Sequence, residues 1–474
     1  MLLATAFGTG CTATLQGLPA GSIVGRPGVY DYSPSAIESK GQIQIWWCGY
    51  AANPNDSSQH SDTILYSILD PLTGAVSKPL TVMGETPGKW DSAYTCNPQV
   101  VGGTFVNPLG NGKTYTYAMY YVGTYKESGF GNSIGVAFSN DGVRWKKYPQ
   151  PVIRTSTETS YGVGQPAPYN SDGKSAIRLF YEDSNRSDGV AHKEAASSDG
   201  VHFGPPRSLT SKGLRDPDAS WGDMAFDPKT GYWYAAFNLS LRGGSTTGNR
   251  QERGQPGVRL YRIPEDALFT GSTPWQELHT FDTNATGNES NFIAGFVRGP
   301  YGDLDVGSYP TIQLLTSISN PRPAWNDSPG KLSRTATPNY WDVGVDDWTP
   351  GQPLLALDRY KNSATYDVTT GYVDPAGGFV LDQVLGHLYE SPQNGADLPL
   401  YACKRGATGY FVSKSSACDG QYVIGLEGYA YAKRPGDVKT QPLYRCHAAS
   451  RDFLSNQPKC EGQGSGELLG FDLP

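Results

Sequence analysis

Long apolar runs are missing from this 474-residue chain. No stretch approaches the roughly 18–20 apolar residues that a membrane-spanning helix needs, which excludes that kind of span. Clustered positive charge is missing too. The chain carries 38 Lys and Arg against 45 Asp and Glu, a net −7, with no basic run or stripe to meet nucleic acid. The six histidines (His60, His192, His202, His279, His387, His447) form no HxH or HExxH spacing. No CxxC or Cys/His spacing suggests zinc. GxSxG, phosphate-loop and dinucleotide-loop patterns are absent, so the sequence asks for no metal and no cofactor.

What is plentiful is glycine (58), proline (35), tyrosine (30) and tryptophan (10). A chain rich in turn formers and β-favouring aromatics points to an all-β class. Repeats organise it. Short strands open on an X-Pro step at Ser33-Pro34, Asn97-Pro98, Gln165-Pro166 and Asp216-Pro217, the prolines 64, 68 and 51 residues apart. An aromatic second strand follows each: IQIWWCG (43–49), YAMYYVG (117–123), IRLFYED (177–183) and YWYAAFN (232–238). A tight turn also recurs, FSNDGVRW (138–145) against SSDGVHF (197–203), with Asp70-Pro71 in the equivalent place of the first unit. Units of this length with several strands and a fixed turn are propeller blades. With a less regular fifth unit from Glu289 to Trp348, they predict a five-bladed β-propeller over 25–350.

A second period follows in 351–474. Leu357, Leu400 and Leu443 stand 43 residues apart, and Gly386, Gly428 and Gly470 stand 42 apart. Three such units predict a threefold, β-trefoil-like domain; three stacked hairpins without closure are the alternative. Cys403/Cys418 and Cys446/Cys460 fall at matching places and are expected to pair within their units. Cys48 ends the second strand of unit one and Cys96 precedes the first strand of unit two, which predicts a bridge between neighbouring blades. Paired cysteines imply an extracytoplasmic compartment. Cys11 is left over. It follows a short apolar run and a glycine in MLLATAFGTGC, so residues 1–24 read as a lipoprotein-like leader and linker, with a lipidated Cys11 as membrane tether.

In a propeller the starts of the innermost strands share one funnel. Ser33, Asn97, Gln165 and Asp216 should face it, with Asp31 and Asp218 nearby. With its first-strand prolines, aromatic second strands and Arg215-Asp216-Pro217 triplet, the chain resembles the five-bladed propeller glycosidases, the arabinanase, xylosidase and fructosidase clan. That resemblance implies acidic residues at inner-strand starts: one Asp as base or nucleophile, a second that orients, and a Glu as general acid. The sequence departs from it, with Ser33, Asn97 and Gln165 where acids are expected. Asp31, Asp216 and Glu182 are therefore the catalytic candidates. Glu182 closes the second strand of unit three, which returns to the funnel. Arg215 and Asp218 flank Asp216, and Ser33, Asn97 and Gln165 suit sugar hydroxyls. Trp90 precedes unit two as a stacking platform; Trp46, Trp47 and Tyr94 are weaker platforms. Asp141 and Asp199 belong to turns. The expectation is an exported glycoside hydrolase acting on a poly- or oligosaccharide, with an appended carbohydrate-binding module; the alternative is a glycan-binding propeller without turnover.

Overall fold

A computed structural model describes residues 22–26, 29–54, 56–71, 73–186, 189–214, 219–239, 257–281, 286, 288, 290–304, 312–319, 342–348, 354–370, 378–389, 392–393, 395–406, 409–436, 438–448 and 451–474. The fold is all-β. Among these residues no helix is long and apolar enough to cross a membrane.

The N-terminal portion is a series of antiparallel meanders, the first and last of which join through one parallel pair into a seven-stranded sheet. The first holds β1 (Asp31–Ser39), β2 (Gln42–Asn53), β3 (Asp56–Leu69) and β4 (Leu80–Met83). The second holds β5 (Tyr94–Val106), β6 (Thr114–Thr124), β7 (Ser133–Ser139) and β8 (Lys146–Lys147). The third holds β9 (Val163–Asn170), β10 (Ile177–Arg186), β11 (Gly189–Ser197) and β12 (Arg207–Ser208). The fourth holds β13 (Trp221–Asp227), β14 (Tyr232–Leu239), β15 (Gly257–Pro264) and β16 (Gln276–Phe281). The fifth holds β17 (Ser290–Arg298), β18 (Ile312–Ser319) and β19 (Asp342–Trp348).

First strands neighbour one another in a cycle: β1 beside β5, β5 beside β9, β9 beside β13, β13 beside β17, and β17 back beside β1. The last step is a parallel pairing, Ala36 opposite Val297. Glycine permits this closeness at two points. A Cβ on Gly222 would sit 2.1 Å from the Ala294 carbonyl oxygen, and one on Gly295 would sit 2.1 Å from that of Pro34. The N-terminal segment closes the cycle at its outer edge. Ile23 donates to the Val343 carbonyl at 2.7 Å, and Val343 donates back to Val24 at 2.9 Å.

The aromatic second strands explain the packing. Each carries two adjacent rings, Trp46-Trp47, Tyr120-Tyr121, Phe180-Tyr181 and Trp233-Tyr234, all buried. Neighbours on a strand point to opposite faces, so a sheet covered on both sides buries both. Trp46 and Tyr121 share one cluster, Tyr120 and Tyr181 the next, Phe180 and Trp233 a third. Tyr234 joins a fourth against Phe296, and Trp47 a fifth against Leu315. Burying each ring contributes about 2–3 kcal/mol. Trp46 and Trp47 are thereby both core residues.

The recurring Asp-Gly turns are latches between sheets. The Gly142 carbonyl accepts the Trp46 indole N–H at 2.8 Å, and the Gly200 carbonyl accepts the Tyr120 hydroxyl at 2.8 Å. Asp141 and Asp199 hold these turns by accepting backbone N–H groups two and three residues on.

The C-terminal portion has three hairpin-based units. They are β20 (Leu354–Lys361), β21 (Tyr366–Thr369) and β22 (Val380–Tyr389); β23 (Leu398–Arg405), β24 (Gly409–Ser413) and β25 (Tyr422–Ala430); β26 (Gln441–Ala448), β27 (Arg451–Ser455) and β28 (Glu467–Asp472). The repeated leucines and glycines face each other across strands, Leu357 with Gly386, Leu400 with Gly428, and Leu443 with Gly470. The leucines enter one shared core. Backbone bridges link the units cyclically through Tyr389–Tyr429, Tyr431–Phe471 and Leu473–His387. Among the described residues, no strand of these units pairs with a strand of the first five sheets. The two portions meet where buried Arg259 ion-pairs with Asp358 and His279 stacks on His387.

All three expected disulfides form: Cys48–Cys96, Cys403–Cys418 and Cys446–Cys460. Cys11 lies outside the described residues. The first bridge spans 48 residues between two sheets. Replacing both of its cysteines with serine is expected to lower stability by about 4 kcal/mol, mainly by freeing the unfolded chain. Denaturant melts of the variant and wild type, both kept oxidised, measure this; coincident curves would contradict it.

Candidate functional site

Every first strand breaks register near its start. The shifts fall at Tyr32/Ser35, Cys96/Gln99, Gly164/Ala167, Trp221/Asp223 and Phe292/Ala294. Ser33, Asn97, Gln165 and Ile293 adopt φ of 53°, 47°, 48° and 38° there. Such left-handed values are uncommon without glycine and rarest for a β-branched residue. The X-Pro steps are thus β-bulges that re-aim side chains at the mouth of the ring. Neighbouring strands satisfy the exposed backbone: Ser33 N–H donates to Ser317 Oγ at 3.0 Å, and Ile293 N–H to Asn238 Oδ1 at 2.8 Å.

The fourth bulge corrects the sequence-based expectation. Among the described residues it falls at Gly222, in Trp221-Gly222-Asp223, where β13 begins. Arg215, Asp216, Pro217 and Asp218 lie outside the described residues.

Glu182 is held beside these bulges. It pairs in register with Gly164 on one side and His192 on the other. Its side chain is buried, and its carboxyl accepts the Ser220 hydroxyl at 2.7 Å and the Trp221 backbone N–H. Burial pushes its pKa up to about 8, against the lowering effect of those two bonds. The Trp221 indole in turn donates to the Gln165 carbonyl at 3.0 Å. His192 packs on Trp221 with ring centroids 4.8 Å apart, and burial lowers its pKa to about 4, so it is neutral at ordinary pH.

A second carboxyl, unmarked by any X-Pro step, is Asp62, midway along β3 and opposite Tyr50 of β2. It keeps some contact with solvent, yet its surroundings push its pKa up to about 6, burial first, opposed by the bond from Tyr30, with Glu85 adding repulsion. The Tyr30 hydroxyl donates to Asp62. Its carboxylate and the sulfurs of Cys48 and Cys96 lie within 4.8 Å of one another. Those sulfurs are joined in a disulfide, so the trio is no metal site.

Tyr161 lies within electrostatic reach of both acids. Burial raises its phenol pKa well above the ordinary value, and the charges of Glu182 and Asp62 both raise it further. Its hydroxyl accepts from Asn97 Nδ2 at 3.5 Å, and its ring covers Gly164. Tyr32 completes the wall, its hydroxyl 2.9 Å from Cys96 Sγ. Asn97, Gln165, Glu182, Asp62 and three tyrosines therefore occupy one end of the ring.

Three other expected residues are engaged in contacts of their own. Asp31 is fully buried; its Oδ1 accepts the Trp47 indole N–H at 2.6 Å and the Arg26 guanidinium at 2.7 Å. The Trp90 ring stacks on Tyr121 at 5.7 Å and lies over Gly123 and Gly135, where it packs against a strand face. Tyr94 donates its hydroxyl to the Glu127 carbonyl at 2.7 Å.

Below the bulges the axis is filled. Arg298, wholly buried, donates to Gln99 Oε1 at 2.6 Å, Asp223 Oδ1 at 3.2 Å, the Val100 carbonyl at 3.2 Å and the Pro168 carbonyl at 3.4 Å. One side chain of β17 thus reaches three other sheets.

Asp62 was discoverable from connectivity. In a meander whose first strand starts at the funnel, the third strand starts there too, so an acid ahead of the apolar TILY run belongs at the mouth. Tyr161 had no comparable signal beyond Gly162 and Gly164 flanking Val163.

No protein-family model and no curated protein sequence matches the chain. Among solved structures it is similar to a family 117 glycoside hydrolase from the marine bacterium Zobellia galactanivorans, at 12% identity over 67% of this chain and 84% of that one, TM-score 0.42. It is similar to an α-L-arabinofuranosidase from Podospora anserina solved with cellotriose, at 12% identity over 69% and 94%, TM-score 0.43. A glycosyl hydrolase from Bacteroides ovatus gives 14% identity over 68% and 85%, TM-score 0.41. All three scores are low, and the chemistry of the site has to be read from its own residues.

Proposed function

We propose that the chain is an exported glycoside hydrolase: a five-bladed β-propeller over 25–350, followed by a trefoil-like module over 351–474 that binds carbohydrate. The cyclic order of first strands and the five packing clusters between sheets support the blade number. The shared leucine core and cyclic bridges support the threefold module. Three disulfides fit an oxidising compartment, and Cys11 remains the proposed lipid attachment point.

The observation that carries the activity is Glu182, a buried carboxyl that keeps its proton to about pH 8, with a second carboxyl, Asp62, that loses its proton near 6 and acts on the same Tyr161. Glycoside cleavage needs one carboxylic acid to protonate the leaving oxygen and one carboxylate to attack the anomeric carbon or take a proton from water. Environments that push two carboxyl pKa values apart make that division of labour. Glu182 is the acid and Asp62 the carboxylate. Asn97 and Gln165 offer amides to sugar hydroxyls, and Tyr30, Tyr32 and Tyr161 offer faces and phenols. Asp216, Arg215 and Asp218, which precede β13 in the sequence, are retained as contributors. Asp31 is assigned to positioning, through Arg26 and Trp47.

A non-cleaving glycan receptor is the second reading, favoured by the neutral Ser33, Asn97 and Gln165 at three bulges. A screen of aryl furanosides, aryl pyranosides and polysaccharides separates the two. Turnover by wild type that vanishes in Glu182→Gln and Asp62→Asn is expected. Glycan binding without turnover on any substrate would favour the receptor instead.

A further inference from the structure

The three C-terminal units share a design whose junctions have been filled differently. Arg359 of unit one and Arg445 of unit three hold matching positions, opposite Gln383 and Glu467 respectively; unit two has Ala402 there, opposite Gly425. Each arginine reaches an acid of the preceding unit in the cycle, Arg359 to Glu461 at 2.6 Å and Arg445 to Asp419 at 3.1 Å. Those two acids share a left-handed backbone, with φ of 57° and 54°.

At the junction of units three and one the arginine is sealed in. Arg359 also bonds Asp382 at 2.7 Å and the Leu454 carbonyl at 2.8 Å, and its side chain is 5% exposed. At the junction of units two and three the residue matching Asp382 is Gly466, the residue before Glu467 as Asp382 precedes Gln383. A cleft of about 370 Å³ lies at this junction, lined by Ser413, Lys414, Asp419, Arg445, Glu467 and Leu469. Arg445 is steadied over the Phe411 ring at 4.2 Å, while Asp419 and Glu467 stay more than half exposed.

We propose that this cleft is a binding site for a neutral polyhydroxyl ligand, a saccharide, held chiefly by Asp419 and Arg445. The inference rests on the module's reading as carbohydrate-binding and names where in it the sugar sits. The charges select the class. Two cations, Lys414 and Arg445, stand among two carboxylates, Asp419 and Glu467, so an anion meets two like charges and a cation meets two others. Vicinal hydroxyls escape both conflicts, donating to a carboxylate and accepting from the guanidinium. Ser413, whose hydroxyl lies 3.2 Å from both Asp419 oxygens, holds the carboxylate in place. Leu469 supplies an apolar floor.

Calorimetric titration of the full chain with xylobiose, cellobiose, maltose and lactose, and with inorganic phosphate as an anion control, tests this. At least one disaccharide is expected to bind. Asp419→Asn, which keeps a residue tolerant of the left-handed backbone, and Arg445→Gln should each weaken that binding at least tenfold. Glu461→Gln, in the sealed junction, should leave it unchanged. A sugar that binds equally well to both cleft variants overturns this site and spares the reading of the chain as sugar-handling. A wild-type chain that binds none of the four overturns the site, and failure in the hydrolysis screen as well would overturn that wider reading. Phosphate binding lost in the cleft variants would overturn the ligand class.

Discussion

Glu182→Gln is expected to lower glycoside turnover by about a thousandfold or more while glycan binding persists, because general-acid help of this kind is worth roughly 10²–10⁴-fold and is needed in the bond-breaking step. The amide keeps the shape of the group and can still meet Ser220 and the Trp221 N–H by rotating, but it has no proton to give. Wild-type activity should be bell-shaped, rising as Asp62 ionises near pH 6 and falling as Glu182 ionises near pH 8. The same shift makes a stability prediction. An ordinary glutamate titrates near 4.5, whereas folded Glu182 holds its proton to about 8. Between those values the folded chain binds a proton that the unfolded chain has lost, so stability falls as pH rises through that window. A glutamine side chain at this position cannot ionise. The variant should therefore melt above wild type at pH 8, by on the order of 3 kcal/mol, and show no such advantage at pH 4. Calorimetric melts at both pH values, beside the rate profile, check this. Turnover within tenfold of wild type would remove Glu182 from the chemistry, and a variant less stable at pH 8 would contradict its buried protonated state.

Arg298→Ala should cost about 3–5 kcal/mol, the usual result of stripping one partner from a buried ion pair. Asp223 would be left at the axis without its cation. Burial already pushes the Asp223 pKa up to about 6, against the pull of Arg298 and two backbone N–H bonds. Losing the arginine raises it further, so Asp223 should be neutral at pH 5 and the loss smaller there than at pH 8. Adding Asp223→Ala to Arg298→Ala should recover part of the cost, since the stranded charge goes with it. Chemical denaturation of the two single variants and the double provides the cycle. A single-variant loss below about 1 kcal/mol would mean the pair is a passenger in the packing.

The sheets were legible because their packing leaves a local mark. A pair of adjacent aromatics such as Trp46-Trp47 is anomalous in a strand with one wet face and natural in one covered on both, and it recurs in four second strands. The leucine and glycine series were legible because they are one feature seen twice: Leu357 and Gly386 are partners across a ladder. The fourth bulge was misplaced because the pattern sought was a proline, whereas Gly222 meets the need for close approach to Ala294 without one. Asp31 drew attention as an acid near a strand start, but its partners are set by the third dimension. Trp47 lies on the adjacent strand and Arg26 on the segment before β1, and together they turn the carboxylate into the wall. Asp62 carries no such mark in the sequence, because it belongs to a third strand outside the repeated features and because the disulfide and tyrosines around it come from distant positions.

The Asp-Gly latches have a bearing on how the ring comes apart. Sheet one is fastened to sheet two by the bond from Trp46 to Gly142, and sheet two to sheet three by the bond from Tyr120 to Gly200. The disulfide adds a covalent link between the first two. An opening that begins in any of these three sheets must strip a buried donor from the next, so amide exchange should report them as one cooperative block. The opposite seam, between the last sheet and the first, is held differently: by the parallel β1–β17 pairing, the Trp47–Leu315 cluster and the bonds of Ile23 and Val24 to Val343. Opening that stays outside the latched three breaks neither latch nor disulfide, so amide exchange there should be decoupled from the block.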